Sequence, residues 1–98
     1  MPEYIKKLLM DIEKSPEDYI GKKSLERLVM FLFGYLIFIF KQDGFVEHLP
    51  GFQEFVALRY NYGIHTAYGW YQIIRKACET EEEAFDEFYK LLYEFYDL

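Results

Sequence analysis

SLERLVMFLFGYLIFIFKQ, residues 24–42, is the stretch that decides the fold class. Its inner stripe of Leu25, Leu28, Leu32, Tyr35 or Leu36, and Ile39 keeps helical spacing. Ser24 is a residue type whose hydroxyl accepts an orphan N–H at a helix start. Val29, Met30, Phe31, Phe33, Ile37, Phe38 and Phe40 make the stretch apolar nearly all round, which predicts a central helix wrapped by others. Tyr35 to Phe40 alone would also suit a strand; the length and the preceding 3.6-residue pattern decide for helix. Glycine is unfavourable in a helix interior by about 1 kcal/mol relative to alanine, so Gly34 is expected to mark a close helix crossing.

On the N-terminal side, Ile5, Leu8, Leu9 and Ile12 form an amphipathic stripe, with Lys6, Lys7, Asp11 and Glu13 turned outward. Ser15-Pro16 ends that helix, because the residue before proline is pushed out of helical geometry, and Gly21 closes the following turn. On the C-terminal side an Asp43-Gly44 turn is expected, then Pro50-Gly51 before Phe52 to Tyr60. Phe52, Phe55, Val56 and Arg59 suit a short helix, while Val56, Leu58, Tyr60 and Tyr62 alternate as a strand would; the reading taken is helix. Thr66 to Cys78 reads as a further helix with Trp70, Ile73, Ile74 and Ala77 inward. Thr80 and Glu83 have capping-box spacing before a last helix that buries Ala84, Phe85, Phe88, Leu91, Leu92 and Phe95. The expectation is one all-α domain over residues 1–98, a bundle of four to five helices around a very apolar central helix.

The composition, 52% hydrophobic and 21% aromatic over 98 residues, excludes intrinsic disorder and leaves room for one core. The apolar run Leu28–Phe40 spans 13 residues, roughly 20 Å of helix against a hydrocarbon core of about 30 Å, so a buried helix is expected and a membrane span is not. Met1 to Leu9 carries Glu3, Lys6 and Lys7 and lacks an uninterrupted apolar stretch, so no signal peptide is expected. The lone Cys78 offers no internal disulfide, which points to a reducing cytoplasm. With 17 acidic against 11 basic residues, the charge of −6 argues against direct nucleic-acid binding and for a basic protein partner.

No catalytic constellation stands out. Cys78 with His65 or His48 lacks any flanking nucleophile signature, and three such residues at spacings of 17 and 13 make no zinc motif. The six glycines form no phosphate loop. No metal, cofactor or enzymatic activity is expected. Two surfaces remain. From Glu79 onward eight carboxylates stand against Lys90 alone, a charge of −7 that leaves the rest of the chain near +1. Glu79, Glu82, Glu83, Asp86, Tyr89, Tyr93 and Asp97 are therefore the primary candidates for a partner-binding helix: acids steer a basic partner and aromatics anchor it. The aromatic stretch RYNYGIHTAYGWY, residues 59–71, supplies a second candidate surface at Tyr62, His65, Tyr68 and Tyr71.

Residues 15–35, SPEDYIGKKSLERLVMFLFGY, carry Pro16, then Tyr19-Ile20-Gly21, Ser24-Leu25 and an apolar helix ending Gly34-Tyr35. The stretch resembles small bacterial immunity proteins of contact-dependent growth inhibition and polymorphic toxin systems. Gly69-Trp70 before Ile73-Ile74, and Glu83-Ala84-Phe85 before Leu91-Leu92, are compatible with it, over about residues 15 to 95. The resemblance implies a cognate inhibitor that covers the active or substrate-binding surface of a toxin, commonly a nuclease domain. It carries over no functional residue. An acidic adaptor for another basic host protein, and a homo-oligomeric structural domain, are the alternatives; the free chain is expected as a monomer or small homo-oligomer.

Overall fold

Helix boundaries follow the local chemistry of their end residues. In the computed structural model of the chain, residues 1–43 and 48–97 are described, residues 36–43 by their backbone alone. The turn expected at Asp43-Gly44 and the inward positions Leu36 and Ile39 lie outside that description. Helix α1 runs Glu3–Lys14 and stops at Ser15. Pro16 then opens α2, Pro16–Ile20, in the first turn, where a missing N–H costs no intrahelical bond. Gly21 turns the chain with φ +88°, and a Cβ there would sit 2.6 Å from Arg27 Nη1, which donates to the Ile20 carbonyl at 2.9 Å. Ser24 Oγ accepts the Arg27 N–H at 3.3 Å and starts α3, Leu25–Asp43. The remaining helices are α4, Phe52–Arg59; α5, Trp70–Ala77; and α6, Glu81–Tyr96.

The described chain is all-helical, with six helices where the sequence suggested four or five. The extra one is α2, the turn between Pro16 and Gly21 closed into a helix of five residues. Phe52 to Arg59 is helix, as read. Helix α5 starts at Trp70 and not at Thr66, because Gly69 is its extended N-cap and the Gly69 N–H is held by Gln72 Oε1 at 3.0 Å. Radius of gyration is 13.2 Å, close to the roughly 13 Å of a compact 100-residue domain.

The core is built from one face of each helix. Ile5, Leu9 and Ile12 of α1 meet Leu25, Leu28 and Leu32 of α3, Phe52, Val56 and Ala57 of α4, and Ile73 and Ile74 of α5. Helix α6 supplies Ala84, Phe85, Phe88, Tyr89, Leu91 and Leu92, and packs on α3, α4 and α5. Phe52 meets Trp70 and Phe88 at ring separations of 5.5 and 5.6 Å, both edge-on, while Trp70 and Phe88 stack at 5.1 Å. Aromatic pairs in such geometries add about 0.5–1.5 kcal/mol each beyond area burial.

Helix α3 departs from the expected wrapped centre. Met30 and Phe33 are 68% and 62% exposed, on the side opposite Leu25, Leu28 and Leu32. A Cβ built on Gly34 meets no atom of the described residues within 4 Å. No element of the described chain crosses α3 there, so the glycine lowers helix stability by about 1 kcal/mol without serving an internal contact.

Candidate functional site

The start of α6 is positioned by its cap. Thr80 Oγ1 accepts the Glu83 N–H at 3.0 Å, as the Thr-x-x-Glu spacing predicts. The returning arm differs: Glu83 Oε2 takes the N–H of Glu79 at 3.1 Å, one residue earlier than a regular capping box. Glu81, Glu82 and Glu83 all occupy the first turn, where the positive end of the helix dipole stabilises carboxylates.

The eight carboxylates of this segment separate into two groups. Four are engaged with other elements of the molecule, while Glu83 reaches only the Glu79 N–H beside it. Glu81 accepts from Arg75 Nε at 2.6 Å, from the Glu26 N–H at 2.8 Å and from the Tyr71 hydroxyl at 3.3 Å, so it caps α3 and binds α5 at once. Asp86 pairs with Lys23 Nζ at 2.7 Å, which raises the lysine pKa above its ordinary value, and the same ammonium lies 5.8 Å from the Phe85 ring centroid. Glu87 accepts from the Tyr60 hydroxyl, and Glu94 lies 3.8 Å from Arg59. Glu79, Glu82, Glu83 and Asp97 are exposed, and among the described residues no cation stands within ion-pair distance of them. Glu79, Glu82 and Glu83 crowd the helix start. Asp97 caps the other end in a left-handed conformation, about 22 Å away along the axis, and does not join them.

Two tyrosines assigned to this surface belong elsewhere. Tyr89 is 3% exposed, and its hydroxyl donates to the Leu9 carbonyl at 2.7 Å. Burial pushes its pKa well up. It is a core residue, because it stands three positions after Asp86 on the i+4 row of Phe85, Tyr89 and Tyr93, which turns towards α1. Tyr93 is half-buried and its hydroxyl donates to Glu13 of α1, a bond that raises its pKa. The candidate surface is reduced to Glu79, Glu82 and Glu83, with Asp86 and Lys23 at its edge.

The second surface is a loop held in place by hydrogen bonds. Tyr62 N–H reaches the Ala57 carbonyl at 2.7 Å with Asn61 at φ +65°. Gln53 clamps the far side, its Nε2 donating to Tyr68 O at 3.0 Å and its Oε1 accepting from Trp70 N at 2.7 Å. Tyr62 and Tyr68 meet edge-on at 5.8 Å, and Lys76 lies 5.0 Å over Tyr68. His65 is exposed beside them in sequence, whereas Tyr71 is half-buried and turned to Glu81. Exposed Leu58 and Ile64 join this region without having been singled out from sequence; neither type announces exposure.

Cys78 is half-buried at the end of α5, and burial with the nearby Glu87 pushes its thiol pKa up, holding it protonated at neutral pH. Among the described residues no three His, Cys, Asp or Glu side chains gather as metal ligands, and no helix is long and apolar enough to cross a membrane. No protein-family model, no curated protein and no solved structure matches the chain.

Proposed function

We propose that this protein is a non-catalytic immunity protein that binds a cognate basic bacterial toxin domain and blocks its active or substrate-binding surface, the start of α6 making first contact. One observation carries the reading. Glu79, Glu82 and Glu83 stand exposed and without a paired cation among the described residues, at the start of the segment from Glu79 onward whose charge of −7 accounts for the acidity of the whole chain. A toxin that holds phosphate needs a basic surface, and fixed carboxylates occupy such a surface as phosphate surrogates. Steering of this kind lifts association to the order of 10⁸–10⁹ M⁻¹s⁻¹ at low salt, which suits an inhibitor that must intercept an incoming enzyme in the cytoplasm. The resemblance of residues 15–35 to immunity proteins points the same way.

The test is titration calorimetry against the C-terminal domain of the large secreted protein encoded immediately upstream, at about 50 and 500 mM salt. Nanomolar binding that weakens several-fold with salt is expected. Tight binding indifferent to salt would keep the function and move the contact to Tyr62, Ile64 and Tyr68. Absence of binding would overturn the proposal.

A further inference from the structure

Leu58, Tyr62, Ile64 and Tyr68 make an apolar patch whose shape is fixed before any partner arrives. Leu58 and Ile64 are 59% and 52% exposed. The Thr66 N–H closes a turn on the Gly63 carbonyl at 3.0 Å, so Ile64 and His65 stand at its tip. Gln53 holds the returning strand of the loop from α4 through Tyr68 and Trp70. A loop already ordered in this way loses little conformational entropy when it is covered.

Two contacts join the patch to the acidic start of α6. Tyr60, between Leu58 and Tyr62 in the chain, donates its hydroxyl hydrogen bond to Glu87. Glu83 stands four residues earlier on the same row of α6, about 6 Å away, and its carboxylate holds the Glu79 N–H. At the other end of the loop, Lys76 lies over Tyr68 and three residues before Glu79. The Lys76 and Glu79 Cα atoms are therefore within about 11 Å of one another. On the far side, exposed Glu54 precedes Leu58 by one turn of α4. Glu82 belongs to the neighbouring row with Asp86, towards Lys23.

The ions around the patch select its occupant. Arg59 and Arg75 are paired with Glu94 and Glu81, and Lys76 covers Tyr68. Glu54, Glu79 and Glu83 have no paired cation among the described residues. An apolar patch bordered on both sides by unpaired carboxylates fits a basic surface that contains an apolar recess. A second copy of this chain would bring the same carboxylates against them. We infer that the 58–68 loop and the Glu79–Glu83 edge form one interface for the basic domain, with Ile64 seated in its recess. The inference rests on the immunity reading and divides the labour within it. Carboxylates at the rim set the association rate, and the dehydrated apolar centre sets the dissociation rate.

Surface plasmon resonance of the full chain against the same upstream-encoded C-terminal domain separates the two rates. The double variant L58Q/I64Q changes exposed positions and no charge, so its helical circular dichroism spectrum should match wild type. Its association rate should stay within about twofold of wild type, while dissociation speeds up roughly tenfold or more. M30Q/F33Q, equally exposed and apolar but on α3, should leave both rates unchanged. Suppose wild type binds and L58Q/I64Q dissociates no faster, or M30Q/F33Q speeds dissociation as much. Either result would overturn the inference and leave the immunity reading standing. A wild-type chain that does not bind the domain would overturn both.

Discussion

The Tyr89 hydroxyl donates to the carbonyl oxygen of Leu9 at 2.7 Å, joining α6 to α1 across 80 residues of chain. Tyr93 repeats the arrangement one turn on, donating to Glu13. Tyr89→Phe keeps the ring and removes the bond, so stability should fall by about 1 kcal/mol. For a domain of this size that is a drop of about 4–8 °C in Tm by calorimetry, with partner affinity unchanged. A normal Tm combined with weakened binding would return Tyr89 to the interface.

Glu81 and Glu82 are neighbours with opposite duties. Glu81 accepts from Arg75, from the Glu26 N–H and from Tyr71, whereas Glu82 faces solvent. Bonds to charged groups contribute about 1.5–3 kcal/mol where both partners lose water. In urea unfolding, Glu81→Ala should lower stability by about 2 kcal/mol and Glu82→Ala by no more than about 0.5. Equal effects would mean that Glu81 does not cap α3.

Two glycines should respond to alanine with opposite signs. Gly51 has φ +79°, and a Cβ there would stand 2.9 Å from the Phe95 ring, so Gly51→Ala combines backbone strain with a clash. A loss of about 2 kcal/mol is expected, since the left-handed conformation alone is unfavourable by roughly 1–2. Gly34→Ala meets no neighbour among the described residues and should stabilise the monomer by up to about 1 kcal/mol, measured at submicromolar concentration. Destabilisation by Gly34→Ala would show that the space beside α3 is filled.

Alkali should unfold the protein. Burial raises the pKa of Tyr60, Tyr71 and Tyr89, reinforced at Tyr60 by Glu87, and a bond to Glu13 raises that of Tyr93. Each folded phenol holds its proton more tightly than the unfolded one. That stability is fully present below the ordinary tyrosine value near 10 and is lost as pH rises through the folded values. Lys23, raised by Asp86, acts with the same sign. Urea midpoints measured from pH 8 to 11.5 should begin to fall above about pH 9, where the raised Cys78 thiol adds its share, and fall further above about pH 10, less steeply in Tyr60→Phe. A midpoint that held constant to pH 11.5 would contradict these environments.

Helix limits were legible where one residue governs its own neighbourhood. Pro16, Gly21, Ser24 and Thr80 act within four positions, and each stands where its chemistry predicts. Core faces were legible in α1 and α6 because polar positions mark the outside. In α3 that contrast is missing, and so the exposure of Met30 and Phe33 could not be read from the pattern. The candidate surface was half legible: charge located the start of α6, but a tyrosine on an i+4 row suits a flank and an interface equally. Only the packing of α1, some 80 residues away, separates them.

The central claim is that Glu79, Glu82 and Glu83 guide a basic toxin domain to this protein. Its most direct measurement is the stopped-flow association rate of that domain with wild type and with the triple variant E79Q/E82Q/E83Q, at low and high salt. The account predicts a rate at least roughly tenfold lower for the triple variant at about 50 mM salt, converging with wild type at high salt, and a dissociation rate little changed. Equal association rates at low salt would contradict it.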